Sequence, residues 1–434
     1  MLNDRVIKTV LLYLFPPWHN YFSKHINKVD KMKRSIIIMN LFTAGGGDHA
    51  LGKKIKDIAR STGAEGELIT VNAKTRHINV QGKELFNPGK ELNYDDPIVI
   101  VTPHSLLSPD VLSTVLADFF YQLDIITCNT VILIDEMDVS RDVGSSDRDY
   151  EVALLSWCVE NIIIHSLGFS KKSLGYLPMP EREVINIKKS SKQDIIKLLD
   201  SYNLSLPKSC SLYFAYLSSD TVVACSQIFI INTLIEDREL QNNSVYVLVC
   251  REKENMARLL KSLKECFAGT PYEDLFSECH YSMMKDENKI QRHGFSRGTG
   301  KKKIHIFITH TIPATTFKNL TSISKSGMMS GDQSLSDYLS LKKRLPYYDK
   351  QTWKDPLIYG LNARAHELGG EELLNKFQSM VAGREGYTRS IVLKLLAPED
   401  VPTTALKNSL QAFNLEMYAR KADRKIREIL LKYL

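Results

Sequence analysis

A chain of 434 residues, 43% hydrophobic and 25% charged, has the composition of an ordinary globular protein, which excludes a disordered or fibrous one. It is long for a single hydrophobic core, so two domains are the default expectation. The formal charge of +7 is compatible with a polyanion, an anionic membrane surface or an anionic small molecule, and requires none of them.

Taken in chain order, the first apolar stretch, "VIKTVLLYLFPPWHNYF", is short, broken by Pro16-Pro17 and without a small-residue cleavage site. It reads as a poor signal peptide, and no window reaches the roughly 18 uninterrupted apolar residues of a membrane span. Met32-Lys33-Arg34-Ser35 stands directly before "IIIMNLF", so residues 1–34 are read as an N-terminal extension.

Short β-branched runs follow at 35–42 (SIIIMNLF), 67–73, 97–102, 130–135 and 161–166, separated by helical patterns such as 51–61 and 108–123. Apolar strands buried on both faces and alternating with helices predict a parallel, doubly wound sheet. The alternation stops at "GYLPMPEREVINIKKSSKQ", whose two prolines and several charges mark a crossover. A second series then begins, with strands at 210–219, 244–251 and 303–310 and helices at 221–238, 252–267 and 316–324. The expected organisation is a Rossmann-like domain over 35–185, another over 205–365, and a helical segment over 366–434 ending in the basic "YARKADRKIREILLKYL". The seven cysteines, at 128, 158, 210, 225, 250, 266 and 279, form no C-x-x-C pair and read as scattered reduced thiols, with neither a disulfide framework nor a zinc site.

Open α/β sheets place ligands beyond the carboxyl ends of their strands, so the strand-to-helix turns carry the candidate chemistry. In "NLFTAGGGDHALGKKI" (40–55), Gly47-DHAL-Gly52-Lys53 follows the Walker A spacing, but Lys54 stands where a Ser or Thr would hold Mg²⁺. The strand "TVILIDEMD" (130–138) ends in Asp135-Glu136 in the manner of Walker B. Together they support one reading, a P-loop-type ATPase or helicase-like NTPase using the 47–53 turn and the 131–136 strand. A plainer reading makes Asp48 a helix N-cap. Asp147-Arg148-Asp149 also matches a metal-binding D-x-D, a pattern short enough to arise by chance.

The third turn lies in "SGMMSGDQSLSDYLSLKKRLPYYD" (326–349). Gly331 lets the backbone approach a diphosphate, and the N–H groups of Asp332, Gln333 and Ser334 would point at its oxygens from a helix N-terminus. The Ser334 hydroxyl adds a donor, and Asp337, one turn in, would accept from ribose hydroxyls. The same residues would also make a plain amphipathic helix, capped by Ser330 or Asp332 with Leu335, Leu339 and Leu341 in the core.

Gly331, Ser334, Asp337 and Pro346 resemble the donor-binding segment of two-Rossmann-domain (GT-B) glycosyltransferases. That segment has a glycine turn, a hydroxyl residue three positions on, an acid six on, and a proline opening the next strand; here the proline falls about two positions late. The resemblance covers roughly residues 35 to 360. It implies an α/β fold of two Rossmann-like domains with parallel sheets facing a cleft, the first for the acceptor and the second for a nucleotide-sugar donor. It further implies sugar transfer with no metal and no other cofactor, to an acceptor left open as protein, glycan or small molecule. Arg251, or Lys325, would neutralise the leaving diphosphate. Asp48 and His49 are the candidate general bases, with His104 and Asp135 in reserve. The basic C-terminal helix would contact an anionic membrane or a partner; no nucleic acid is indicated. In style the chain resembles divergent transferases among secreted effectors of intracellular bacteria, so the expected location is the cytoplasm or the cytosol of a host cell.

Overall fold

The structure, a computed structural model, describes residues 35–434 apart from 43–45, 65, 74–93, 139–146, 158, 202–209, 218–220, 239–241, 268–270, 287–288, 352–353 and 384–402. The expected N-terminal extension, 1–34, lies outside the described residues.

The first half runs β1 (Ile36–Phe42), α1 (Gly46–Ser61), β2 (Gly66–Asn72), β3 (Ile98–Thr102), α2 (Pro109–Gln122), β4 (Thr130–Asp135), α3 (Asp147–Leu155) and β5 (Asn161–Ser166). Among the described residues these strands form a parallel five-stranded sheet in the order β2-β1-β3-β4-β5. Side chains alternate across a strand with a period of two, and here both faces are apolar. Ile36, Ile38, Ile98, Ile100, Ile132 and Ile134 share one core. Ile37, Met39, Val99, Val101, Val131 and Leu133 fill the other, against Leu112, Leu116 and Phe119 of α2 and Leu154 of α3.

After α4 (Glu181–Ser201) the second half runs β6 (Cys210–Leu217), α5 (Val222–Glu236), β7 (Asn243–Cys250), α6 (Asn255–Phe267), β8 (Glu278–Asp286), β9 (Lys289–Arg297) and β10 (Lys303–Thr309). It continues through α7 (Ala314–Ile323), β11 (Ser326–Met329), α8 (Asp332–Lys342), β12 (Tyr347–Lys350), α9 (Asp355–Gln378) and β13 (Val381–Gly383). The described strands make an eight-stranded sheet, β13-β12-β11-β6-β7-β10-β8-β9, parallel throughout except for the antiparallel β8-β9 pair. The protein is thus an α/β chain of two Rossmann-like halves with parallel sheets, as the alternating pattern predicts. The described cysteines, at 128, 210, 225, 250, 266 and 279, form no disulfide.

Some elements escaped the sequence reading for physical reasons. β9 is a sheet edge, exposed along most of its length, so it lacks the doubly buried apolar run that marks its neighbours. β11, β12 and β13 are only four, four and three residues long. The stretch read as a crossover runs into the 21-residue α4, which begins at Glu181 and ends beyond it at Ser201.

The helices α10 (Thr404–Ala419) and α11 (Asp423–Tyr433) do not stand apart from the halves. Phe413, Met417, Ile426 and Leu430 are buried in the same cluster as Ile36, Ile38, Leu51 and Ile55 of the first half. Ile426 and Leu430 of α11 are therefore taken up by core contacts, while Arg424, Lys425 and Arg427 are exposed, as is Leu431. Among the described residues no helix is long and apolar enough to cross a membrane. Helix α8 lies between the two cores: Leu335 and Leu339 belong to the first-half cluster, while Tyr338 belongs to that of the second sheet. That wedge fixes where the amino end of α8 points.

Candidate functional site

In the second sheet the chain order reverses between β6 and β11: the strands on one side follow β6 with β7 and β10, those on the other with β11 and β12. Ligands of open α/β sheets sit beyond the carboxyl ends of the strands at such a reversal. A cavity of about 740 Å³ lies there, lined from the first half by Leu51, Glu136 and Leu177 and from the second by Tyr216, Arg251, His310, Gly331 and Lys354. Its volume is in the range of small-molecule and cofactor sites, and its walls come from both halves, so it is the cleft between them.

Gly331 opens α8 with φ 92° and ψ 158°, and no side chain caps the helix there. This backbone region is essentially restricted to glycine. A Cβ at Gly331 would meet nothing within 4 Å, so the constraint is conformational and the space beside it is open. The leading N–H groups of a helix have no partner inside it, and at Asp332, Gln333 and Ser334 they border the cavity. The expected helix start at Gly331 is present and borders the cavity.

The side chains around it differ from expectation. The Ser334 hydroxyl donates back to the carbonyls of Ser330 (2.7 Å) and Gly331 (2.9 Å), which stabilises the turn and adds no outward donor. Asp337 accepts from Nε2 of Gln333 at 2.7 Å and faces Nζ of Lys54 at 3.6 Å. Lys54 also donates to the carbonyl of Leu177 at 3.0 Å. Burial pushes the Asp337 carboxyl up against the pull of Lys54, and burial lowers the Lys54 ammonium against the pull of Asp337. The lysine standing in the place of a P-loop hydroxyl thus joins the two halves.

Beside the amide turn is a cluster that the sequence reading missed. Nζ of Lys354 lies 2.6 Å from Asp332 Oδ2 and 2.8 Å from Glu136 Oε2, and its side chain is only 5% exposed. One ammonium holds two carboxylates. Burial works against the Lys354 charge, but Asp332 and Glu136 outweigh it and keep the ammonium above its ordinary range. Burial, reinforced by Glu136 and opposed by Lys354, pushes the Asp332 carboxyl up to about 7. Asp332 Oδ1 has no hydrogen-bond partner, so a protonated Asp332 can donate from that oxygen. His310, at the end of β10, also lines the cleft and buries Nδ1 without a partner. Neither Lys354 nor His310 belongs to a motif; each follows a strand by a few residues, the one signal that could have found them.

Arg251 follows β7, is exposed, and lines the cleft. Lys325, weighed beside it, precedes β11, whose far end leads to the turn, and is paired with Asp237 at 2.6 Å. The structure therefore leaves Arg251 as the cation of the two that faces the cavity.

In the first half the P-loop reading is corrected. Residues 46–61 are helical, so Gly47 to Lys53 do not form a phosphate-wrapping loop. Gly52 lies inside α1 where a Cβ would collide with the Asn40 side chain and come within 2.9 Å of Leu68; its role is close helix-to-strand packing. Of the matching acids, Asp135 accepts from Ser105 Oγ at 2.6 Å, and Glu136 is held by Lys354. Asp149 is exposed on α3 and is not among the described residues lining the cleft, and the Asp147 side chain lies outside the described residues.

Asp48 and His49 fall in the first turn of α1. His49 is exposed and is not among the described residues lining the cleft, whereas Leu51 lines it. The Asp48 side chain and residues 43–45, which include the first glycine of that turn, lie outside the described residues. His104 is fully buried, edge-on to Tyr150 at 5.0 Å, and is not among the described residues lining the cleft.

No protein-family model matches the chain, and no curated protein does. Solved structures of similar layout include a UDP-forming α,α-trehalose-phosphate synthase from Burkholderia vietnamiensis, 9% identical, TM-score 0.43, with 92% of this chain and 99% of that one covered. A trehalose-6-phosphate structure from E. coli bound with UDP-2-fluoro glucose is 10% identical, TM-score 0.43, covering 92% and 98%. The N-terminal domain of trehalose-6-phosphate phosphatase from Candida albicans is 9% identical, TM-score 0.42, covering 93% and 97%.

Proposed function

We propose that the chain is a metal-independent glycosyltransferase that takes a sugar from a nucleotide-sugar donor. The observation that carries this reading is the uncapped amino end of α8 at Gly331, opening on the cleft at the strand reversal of the second sheet. A helix N-terminus favours anions, and the cavity has room for a nucleoside diphosphate with its sugar. The amides of Asp332, Gln333 and Ser334, the Arg251 guanidinium and the protonated form of Asp332 would stabilise the charge that develops on the departing diphosphate. Asp337, bound to Gln333 and Lys54, takes the ribose only by exchanging one of those partners.

The acceptor would enter from the first half. Its base would come from the opening turn of α1, where Asp48 stands one helical turn before Leu51; His49, exposed and outside the cleft lining, would have to turn toward it. The acceptor, whether protein, glycan or small molecule, is not specified by the cleft.

Calorimetric titration with UDP, GDP and dTDP, each with and without EDTA, tests the proposal. The expected result is binding of at least one nucleotide that survives EDTA and is lost in Gly331→Val. Absence of binding by all three, or binding indifferent to Gly331 and Arg251, would overturn it.

A further inference from the structure

A second cavity, of about 650 Å³, lies away from the strand ends, between α1, the start of α4, the end of α8 and the start of α11. Its walls carry six cationic side chains, Lys54, Lys188, Lys343, Lys421, Arg424 and Arg427, against three acids, Asp57, Glu181 and Asp423. Lys54 is turned toward Asp337, and Arg424 is paired with Glu428 at 2.9 Å. For Lys188, Lys343, Lys421 and Arg427 the described residues supply no carboxylate within ion-pair distance.

Two of those cations converge on one ring. Nζ of Lys421 is 4.7 Å and Nζ of Lys343 5.4 Å from the centre of Tyr418. Cation–π attraction holds each ammonium near the ring but leaves its charge unneutralised. The wall behind them is fixed: Tyr176 N–H donates to Arg420 O and Ala422 N–H to Tyr176 O, both at 2.9 Å, and the Tyr176 hydroxyl donates to Tyr418 O at 3.2 Å. Lys343 sits at the left-handed residue ending α8, φ 57°, so its direction is set by the backbone. A rigid aromatic and apolar floor beside clustered cations suits a small body that carries a phosphate group.

We infer that this cavity is a second ligand site, taking a phosphorylated small molecule whose phosphate rests among Lys343, Lys421 and Arg427 on the Tyr418 side. The inference is independent of the reading of the cleft. The pair Lys54–Asp337 and Leu177 form the partition between the two cavities, so an experiment has to separate them.

Inorganic pyrophosphate is the probe, titrated calorimetrically into the full chain carrying Arg251→Glu, which reverses the exposed cation of the cleft. Saturable binding is expected to persist there and to weaken at least tenfold when Lys421→Glu and Arg427→Glu are added. The neutral pair Lys421→Gln and Arg427→Gln, with an unchanged melting temperature, should give an intermediate loss and guards against misfolding. Complete loss of binding with Arg251→Glu alone, or binding indifferent to both cavity pairs, overturns the inference. Pelleting with vesicles containing a phosphatidylinositol phosphate identifies the source: capture that pyrophosphate competes away supports a lipid headgroup, and its absence beside pyrophosphate binding supports a soluble ligand.

Discussion

Glu136 and Lys354, 218 residues apart in the chain, meet at 2.8 Å in the cleft. The contact ties the end of β4 to the start of α9, and the same ammonium holds Asp332 at the mouth of the amide turn. Structure and proposed chemistry therefore share one lysine.

Replacing that lysine, itself buried, leaves the partly exposed carboxylates of Asp332 and Glu136 without their shared counter-charge. Lys354→Met should destabilise the protein by about 3–5 kcal/mol, the usual cost of removing one partner from a buried ionic cluster. The loss should be larger at pH 8, with both acids ionised, than at pH 5. Urea denaturation at the two pH values measures it; equal losses would mean that the charge cluster is not the cause.

Asp332 makes a separate pH dependence. Its folded-state value, about 7, stands above the ordinary carboxyl value of 3.8. Between those values the folded protein binds the proton more tightly than the unfolded chain, so this group's contribution to stability falls as pH rises from about 4 to about 7 and then levels off. Asp332→Asn should remove that slope, so its stability relative to wild type should improve across the same window. Melting temperatures of the two proteins from pH 4 to pH 8 would show parallel curves if Asp332 does not titrate there.

Gly331 separates backbone strain from steric fit. Gly331→Ala places its Cβ in open space but in a backbone region that costs about 1–3 kcal/mol for other residues. It should lower stability by that amount and weaken any nucleoside diphosphate binding by shifting the amides of Asp332 to Ser334. Chemical denaturation and titration on one preparation test both effects.

Arg251 should behave oppositely. It is exposed and has no resolved ion pair among the described residues, so Arg251→Ala should leave the melting temperature unchanged. Loss of a charge-assisted hydrogen bond, about 1.5–3 kcal/mol, should weaken nucleotide diphosphate binding by roughly 10- to 150-fold at RT ≈ 0.59 kcal/mol. A stable variant with wild-type affinity would remove Arg251 from the site.

In α1, Gly52→Ala should cost about 1–3 kcal/mol through overpacking against Asn40 and Leu68, whereas Lys53→Ala, at an exposed position, should be silent in stability. ATP hydrolysis abolished by Lys53→Ala would restore the phosphate-loop reading that the helical path of residues 46–61 removes.

Local chemistry was enough to reveal the doubly buried strands, because runs such as "IIIMN" and "VILID" must be covered on both faces wherever they lie. It was enough, too, for the glycine turn at 331, since only glycine rests at that φ and ψ. Asp337 shows the limit: its spacing from Gly331 suggested a ribose acceptor, while its actual neighbours are Gln333 on its own helix and Lys54 from the other half. Lys354 shows it more sharply, because an isolated lysine before Asp-Pro carries no local sign of two carboxylates reached through the fold.

The order of amino acids by itself determined two series of strands and helices, the parallel sheets they build, and a helix start at Gly331. Those properties depend on side-chain periodicity and backbone preference over a few residues. Only the tertiary structure decided which charges meet, that α8 lies between two cores, and that the basic last helix buries Ile426 and Leu430. Those outcomes depend on contacts between residues distant in the chain, where burial sets the strength of a charge and packing sets its partner.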